Sequence, residues 1–486
     1  MIVFQGEKME VRTRFAPSPT GYLHIGGLRT ALYAYLFAKK NGGKFILRIE
    51  DTDLERYVDG ASELIYTSLK DAGLIYDEGP DVGGKYGPYI QSQRKDDYLK
   101  YAQELIEKGG AYYCFCGKDR LEKLTDKAGI RKYDKHCLKL SKEEIAKRLK
   151  NNEPYVIRQN IPDKGKISYN DLVFGTITID CKDLEDNVLI KSDRMPTYNF
   201  ANVVDDHLMN ITHVIRGEEY LSSTPKYNLL YEGFGWKQPV YMHLPPVMRD
   251  SQHKLSKRYN DPSYNDLIAE GYLRDALINY IALLGWSPKE NKEKFSFDEL
   301  KQMFSVDGLS RSCAIFDKAK LTWLNSEYVK ELSVNEFNDY AYPWYQKSKI
   351  NGKYDYLKLS KLLISRVEVF SEIPGKVNFL EEFENFDINL FNKEKLKINI
   401  NLAKQILPKI KEILEKISDF NEITVSEALK SLVENLSLKT GQVFWSLRIA
   451  ITGAESTPGG AVEMADILGK QKTIERLNYS IKLLSK

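Results

Sequence analysis

From Gly27 onward the apolar residues Leu28, Ala31, Leu32, Tyr35 and Leu36 recur at helical spacing, and Asn41-Gly42-Gly43 supplies a stop before the apolar run Phe45 to Ile49. Ahead of that helix Val11 to Phe15 reads as a short buried strand, while Ala16-Pro17-Ser18-Pro19-Thr20-Gly21 continues neither helix nor sheet. Strand, loop, helix and strand make a βαβ unit. Its two strands lie parallel and ligands bind beyond their carboxyl ends, which places the Pro17 to Gly27 loop and Glu50-Asp51-Thr52-Asp53 at one crevice. A helical stretch near Asp96 to Lys108 follows. The character then changes to the cysteine-bearing segment Tyr112 to Cys137 and the β-like Val156-Ile157-Arg158, Thr176-Ile177-Thr178-Ile179 and Val188-Leu189-Ile190, which read as an insertion. Parallel-sheet character returns around Tyr198 to Ile215 and Tyr241 to Leu244. From Tyr264 to the end the pattern is mainly helical, with lysine-rich periodic segments such as Leu402 to Ile417 and no internal repeat.

Size and composition narrow the class. With 486 residues at 42% hydrophobic content the chain buries more than one core, and length alone points to about three domains. The longest apolar stretches, such as Ile278 to Trp286, fall short of the ~20 residues needed to cross a bilayer. Met1 to Arg14 mixes both charge signs without an apolar signal core, so a cytoplasmic location is expected. Five cysteines are sparse and odd in number, which favours thiols or metal ligands over disulfides. A net charge of +3, from 71 basic and 68 acidic residues, neither demands nor excludes a polyanionic partner. In the absence of a long exposed apolar seam, a monomer is expected.

Two segments carry chemistry. His24-Ile25-Gly26-Gly27 sits at a loop-to-helix junction, where an imidazole meets phosphate charge and glycines let a nucleotide approach the backbone. Lys254-Leu255-Ser256-Lys257-Arg258 lies in a polar loop after the Tyr241 to Leu244 strand, where two lysines can neutralise a leaving pyrophosphate. Each alone is weak: the first is also a common turn, the second a common basic loop. In this order, after βαβ signals and around a β-rich insertion, they resemble the two signature motifs of class I aminoacyl-tRNA synthetases.

The resemblance sharpens at Arg14-Phe15-Ala16-Pro17-Ser18-Pro19-Thr20-Gly21, Arg48-Ile49-Glu50-Asp51-Thr52-Asp53 and Tyr198-Asn199-Phe200-Ala201-Asn202-Val203-Val204-Asp205-Asp206-His207, which look like the bacterial-type glutamyl-tRNA synthetase family. It continues through Ile215-Arg216-Gly217-Glu218-Glu219, Phe316-Asp317 with Lys320-Leu321, and Leu447-Arg448 with Thr452-Gly453, covering essentially the whole chain. A first motif ending in Gly27 rather than histidine suits glutamyl better than glutaminyl enzymes. The resemblance implies an α/β fold: a class I Rossmann-type catalytic domain (1–92 and 200–255), an α+β acceptor-stem-binding insertion (93–199), a stem-contact helical domain (256–333) and an all-α anticodon-binding region (334–486).

It further implies ATP-dependent activation of L-glutamate to glutamyl-adenylate, with Mg²⁺ escorting the triphosphate, and transfer to the 3′-terminal ribose of tRNA(Glu). Arg14, Ser18, Glu50, Tyr198, Asn202 and Arg216 would form the glutamate pocket, with Glu50 or Asn202 suited to the α-amino group and Arg14 or Arg216 to the side chain. Thr20, His24, Gly26, Glu219, Lys254, Ser256 and Lys257 would bind ATP, and His24, Lys254 and Lys257 would stabilise charge in the reaction. Independently of resemblance, a dicarboxylic substrate needs cationic forks, and Arg14 and Arg216 both fall at predicted strand ends near the crevice.

Cys114-Phe115-Cys116, followed by Tyr133 and Cys137, resembles the zinc module of some relatives. Zinc usually takes four donors, and Lys139 stands where many relatives have histidine, leaving Tyr133 or His136 as the fourth. Cys181 and Cys313 are expected to pack as small hydrophobes. Arg366 aligns with an arginine that reads the third anticodon base in discriminating relatives, and Arg448 is another candidate contact. The alternatives are an enzyme that also charges tRNA(Gln), a small-molecule nucleotidyltransferase, which would not need the helical carboxyl half, and a noncatalytic tRNA-binding paralogue, which would not keep His24, Lys254 and Lys257.

Overall fold

The turn at Asn41-Gly42-Gly43 acts as its composition demands. Gly42 takes φ 63°, and the Gly43 amide closes the helix end by donating to Ala38 O at 2.8 Å. The chain then passes so close to the preceding strand that a Cβ on Gly43 would lie 2.1 Å from Val11 O. This junction joins helix α1 (Ile25–Lys40) to strand β2 (Lys44–Leu47), which pairs in parallel with β1 (Arg12–Phe15), Arg14 opposite Ile46. The computed structural model describes residues 10–19, 23–53, 58–124, 133–255 and 261–485, with backbone alone for the strand pair Val3–Phe4 and Glu7–Lys8.

After α2 (Lys95–Glu107), strands β3 (Ala111–Cys114), β4 (Val156–Gln159) and β7 (Val188–Ile190) form a small antiparallel sheet in the order β3-β4-β7. Between β4 and β7, the hairpin β5 (Lys166–Asp171) and β6 (Gly175–Asp180) joins the main sheet instead. That sheet runs β2-β1-β8-β9-β5-β6, with β8 (His213–Gly217) and β9 (Val240–Leu244) parallel to β1, β2 and β5 and only β6 antiparallel. Strand order reverses direction at β1 and β8, so the crevice of an open α/β sheet lies beyond Phe15 and Gly217.

Two expected features differ in detail. Tyr198 to Ile215 is not all strand: Tyr198–Leu208 is helix α3, with Phe200, Ala201, Asn202, Val203, Val204, Asp205 and Asp206 all buried. Its polar stripe of Asn199, Asn202, Asp205 and Asp206 recurs at helical spacing but is met by protein partners rather than left to water. The helical stretch at 274–318 belongs to the same compact unit as the sheet. Arg29 and Tyr33 of α1 donate to Leu284 O and to Ala282 O and Leu284 O, and the Tyr33 ring lies 5.0 Å from Phe304.

Residues 269–273 and 319–486 form a second, helical unit. Its Ile400–Glu415 helix buries Ala403, Ile406, Leu407, Ile410 and Leu414, the stripe implied by the lysine-rich periodicity. Side-chain caps begin its helices at Ser333, where Glu336 completes a capping box, and at Asn399. Among the described residues no helix is long and apolar enough to cross a membrane.

Gly43→Ala would force β1 and β2 apart at their start. The expected cost is roughly 1–3 kcal/mol of stability, read as a lowered urea midpoint with little change in slope; an unchanged midpoint would refute the close-approach argument.

Candidate functional site

Pro17 and Pro19 end β1 and start a loop whose path is fixed from beneath: the Arg48 amide donates to Phe15 O at 3.0 Å and the Glu50 amide to Pro17 O at 3.1 Å. Beside this loop opens a cavity of about 900 Å³, lined by Arg14, Ser18, Gly27, Glu50, Tyr198, Arg216 and Glu219 among others. Of the residues expected to hold glutamate, five therefore meet at one wall system. Asn202 stands one turn along α3 behind them, buried, its amide donating to Tyr198 O at 2.7 Å.

Two kinds of arginine face this cavity. Arg14 donates through Nε to Asp206 Oδ1 at 3.0 Å and through Nη1 to Ile215 O at 3.3 Å. Asp206 also receives Arg48 Nη1 at 2.7 Å, and Arg48 Nη2 reaches Glu50 Oε1 at 2.9 Å. Neighbouring Asp205 lies 2.8 Å from Arg94 Nε and accepts Gln91 Nε2 and Tyr98 Oη at 2.9 Å each. Three arginines thus balance three carboxylates in the interior. Burial alone would raise the Asp206 pKa, but Arg14 and Arg48 outweigh it and hold the carboxyl below its ordinary value. For Glu50 and Asp205 burial prevails over their arginines and the pKa is raised.

Arg216 is different. Parallel register sets it beside His243, to whose Nε2 it donates from Nε at 3.1 Å, while Nη2 donates to Thr224 Oγ1 at 2.7 Å. The rings of Tyr220, Tyr227 and Tyr241 lie 4.9, 4.8 and 5.6 Å from its guanidinium carbon. Among the described residues Arg216, 6% exposed, makes no ion pair. A buried cation whose protein partners are all neutral leaves its charge for a ligand, and a carboxylate fits.

His24 caps α1 with extended backbone, no acidic residue occupies the first turn, and among the described residues a Cβ on Gly26 would meet no atom within 4 Å. The helix start is therefore open and electropositive, as a phosphate requires. Lys254 is exposed on a turn in which Arg249 N donates to His253 O and Leu255 N to Val247 O. Thr20, Ser256 and Lys257 lie outside the described residues.

The sulfurs of Cys114, Cys116 and Cys137 lie within 4.8 Å of one another. Tyr133 Oη stands 3.3 Å from Cys114 Sγ and 3.4 Å from Cys116 Sγ, whereas His136, the other candidate fourth donor, is exposed. Hydrogen bonds from Cys137, then Tyr133 and Arg158, hold the Cys114 thiol down against burial, so the cluster favours a thiolate. Cys181 is buried as expected; Cys313 is exposed, a correction whose reason is its place in the turn before the short strand Ala314–Ile315.

In the helical unit Arg366 is exposed just past the Tyr356–Leu363 helix. Arg448 is partly buried, its pKa lowered by burial and then by repulsion from Arg366, which places the two guanidiniums in one field. Among the described residues Arg448 Nε is buried without a hydrogen-bond partner, and its guanidinium lies over the Trp445 ring.

Sequence reasoning did not single out Arg48, Asp205, Asp206, Arg94, Asp171 or His243 for any role. A signal existed for the aspartates, since two adjacent acids inside an otherwise apolar segment are costly unless paired.

The family described as tRNA synthetases class I (E and Q), catalytic domain, matches residues 10–323, and that described as anticodon binding domain matches 334–481. A glutamate–tRNA ligase of Clostridium kluyveri is 54% identical, covering 98% of this chain and 98% of its own length. One from Clostridium novyi is 53% identical with the same coverage. The crystal structure of a glutamate tRNA ligase from Elizabethkingia meningosepticum, in complex with its amino acid, superposes with a TM-score of 0.88 at 35% identity, covering 98% of this chain and 100% of that one.

Asp206→Asn would leave Arg14 and Arg48 undercompensated in the interior, at an expected cost of about 3–5 kcal/mol at neutral pH. Because the folded Asp206 pKa is depressed, its contribution is present above the unfolded carboxylate value and lost as pH falls through the folded one. The stability gap between parent and variant, from urea titrations at several pH values, should therefore hold at neutral pH and narrow only in acid; a gap that widened on acidification would refute the assignment.

Proposed function

The chain belongs to the class I tRNA synthetases for glutamate and glutamine, and from that premise we propose that it activates L-glutamate with ATP and passes the glutamyl group to the 3′-terminal ribose of tRNA(Glu). The observation that carries the choice of amino acid is the buried Arg216 in the wall of the cavity, whose hydrogen-bond partners among the described residues are all neutral. Arg14 already serves Asp206, so Arg216 is the better receptor for the side-chain carboxylate, and Glu50 offers negative charge to the α-ammonium group. Glutamine would leave the Arg216 charge unmet, a penalty that separates two otherwise isosteric substrates.

The α-carboxylate oxygen attacks the α-phosphorus of ATP, the bond to the β,γ-pyrophosphate breaks, and glutamyl-adenylate forms. A ribose hydroxyl then attacks the acyl carbon and AMP leaves with the bonding pair. His24 and the helix start beside Gly26 receive phosphate charge, while Lys254 and Lys257 balance the departing pyrophosphate. Glu219 at the cavity rim, with Thr20 and Ser256, completes the ATP-side assignment. Mg²⁺ held by the triphosphate would supply charge neutralisation there.

The remaining parts follow the same reading. Residues 93–199 would contact the acceptor stem, 256–333 the stem below it, and 334–486 the anticodon, with Arg366 reading its third base and Arg448 beside it. The protein would act as a cytoplasmic monomer. Cys114, Cys116, Cys137 and Tyr133 would hold Zn²⁺, whose role would be to cross-link the 114–137 segment; Arg158, donating to Cys114 Sγ at 3.4 Å, offsets the negative charge of the thiolates.

Three outcomes test this. Arg216→Ala should raise the KM for glutamate by about 100-fold with little change in the KM for ATP, and an unaltered glutamate KM would remove the basis of the specificity argument. Charging of tRNA(Glu) and tRNA(Gln) transcripts, with the parent and Lys257→Ala side by side, should give tRNA(Glu) alone and lose it in the variant; charging of both would overturn the Arg366 role. Plasma mass spectrometry of purified protein should find one zinc per chain that Cys137→Ala abolishes and that acid releases, since protons compete for the thiolates.

A further inference from the structure

The neutral partners of Arg216 form a chain that ends at a charge. Arg216 Nε donates to His243 Nε2, so that nitrogen carries a lone pair and the proton of the neutral ring sits on Nδ1, 2.7 Å from Asp171 Oδ2. Asp171 is fixed in turn: Oδ1 accepts the amides of Val173 and Phe174 at 2.9 Å each, and Oδ2 also accepts the His243 amide at 3.0 Å. Along the same edge of the guanidinium Thr224 Oγ1, 3.3 Å from His243 Nε2, accepts Nη2 and donates to Tyr220 O at 2.8 Å. His243, Asp171 and Thr224 are buried, with His243 and Thr224 at 0% exposure. None of the three lines the cavity.

Resting on the reading of Arg216 as the side-chain carboxylate receptor, we propose that Asp171 and His243 are positioning residues that lock the Arg216 fork for a carboxylate and thereby set the preference for glutamate over glutamine. Asp171 selects the tautomer of His243; that tautomer offers Arg216 an acceptor on Nε and leaves the remaining guanidinium edge to the ligand. The opposite tautomer would aim N–H at N–H and turn the fork away. Burial keeps the ring neutral, and the Arg216 charge acts in the same direction. A fork held along one edge by two neutral acceptors loses little entropy on binding and keeps its outer edge for the ligand, whereas one held by a carboxylate would be partly neutralised before substrate arrives.

The test is steady-state charging of tRNA with glutamate and with glutamine by His243→Leu, His243→Gln and Arg216→Ala proteins. His243→Leu should raise the glutamate KM by at least about tenfold and lower the glutamate-to-glutamine ratio of kcat/KM by a similar factor, with the KM values for ATP and tRNA unchanged. His243→Gln, whose side-chain oxygen can replace Nε2 as acceptor, should restore most of both. If His243→Leu does not fold, Thr224→Val removes the second acceptor and should give the same selective pattern. An unchanged glutamate KM in His243→Leu, or a uniform loss across all substrates without rescue by glutamine, overturns the proposal. Arg216→Ala separates the two levels: loss of glutamate discrimination there with none in His243→Leu sinks only the positioning role, whereas no loss in either sinks the reading of Arg216 itself.

Discussion

Six buried charges decide where the cavity wall stands. Arg14, Arg48 and Arg94 face Glu50, Asp205 and Asp206, contributed by β1, by the segments after β2 and before α2, and by α3. Deleting any one leaves a net charge uncompensated in the interior, which ties these elements to a single arrangement. Arg14 and Glu50 are therefore pinned from behind before any substrate arrives. Arg216 makes no ion pair with this set, and the contrast between an arginine bound to a carboxylate and one bound to neutral acceptors across one cavity gives the site its polarity.

Much of this was legible along the chain. Prolines at 17 and 19, glycines at 26, 27, 42 and 43, and the helical spacing from Leu28 are local signals, and the βαβ unit follows from them. The cavity wall gathers Arg14, Ser18, Glu50, Tyr198 and Arg216, residues that quoted motifs contained. What was illegible was partnership. Nothing near Arg216 in the chain announces His243, 27 residues on, and nothing near His243 announces Asp171, 72 residues back. Sheet register creates those neighbours. The same limit hid the roles of Asp205 and Asp206 on the polar stripe of helix α3, which sit in the core against partners far along the chain.

The cysteine cluster shows the opposite case, in which spacing alone is informative. Cys114 and Cys116 flank one residue at the end of β3, and Tyr133 and Cys137, four apart, return to them. Four atoms from two short segments converge, with Arg158 of β4 against both Cys114 and Tyr133, and the candidate fourth donor narrows from two to one by which of them is buried beside the sulfurs.

The hairpin β5–β6 lies in sequence between two strands of the small antiparallel sheet, yet Asp171 at the end of β5 reaches back into the main sheet to hold His243. Residues 93–199 are thus not a detachable cassette. A natural recombination or a laboratory chimera that exchanged them whole would exchange the anchor of the opposite domain as well, and cuts that respect the architecture would have to fall on either side of the hairpin, leaving Lys166–Asp180 with its host.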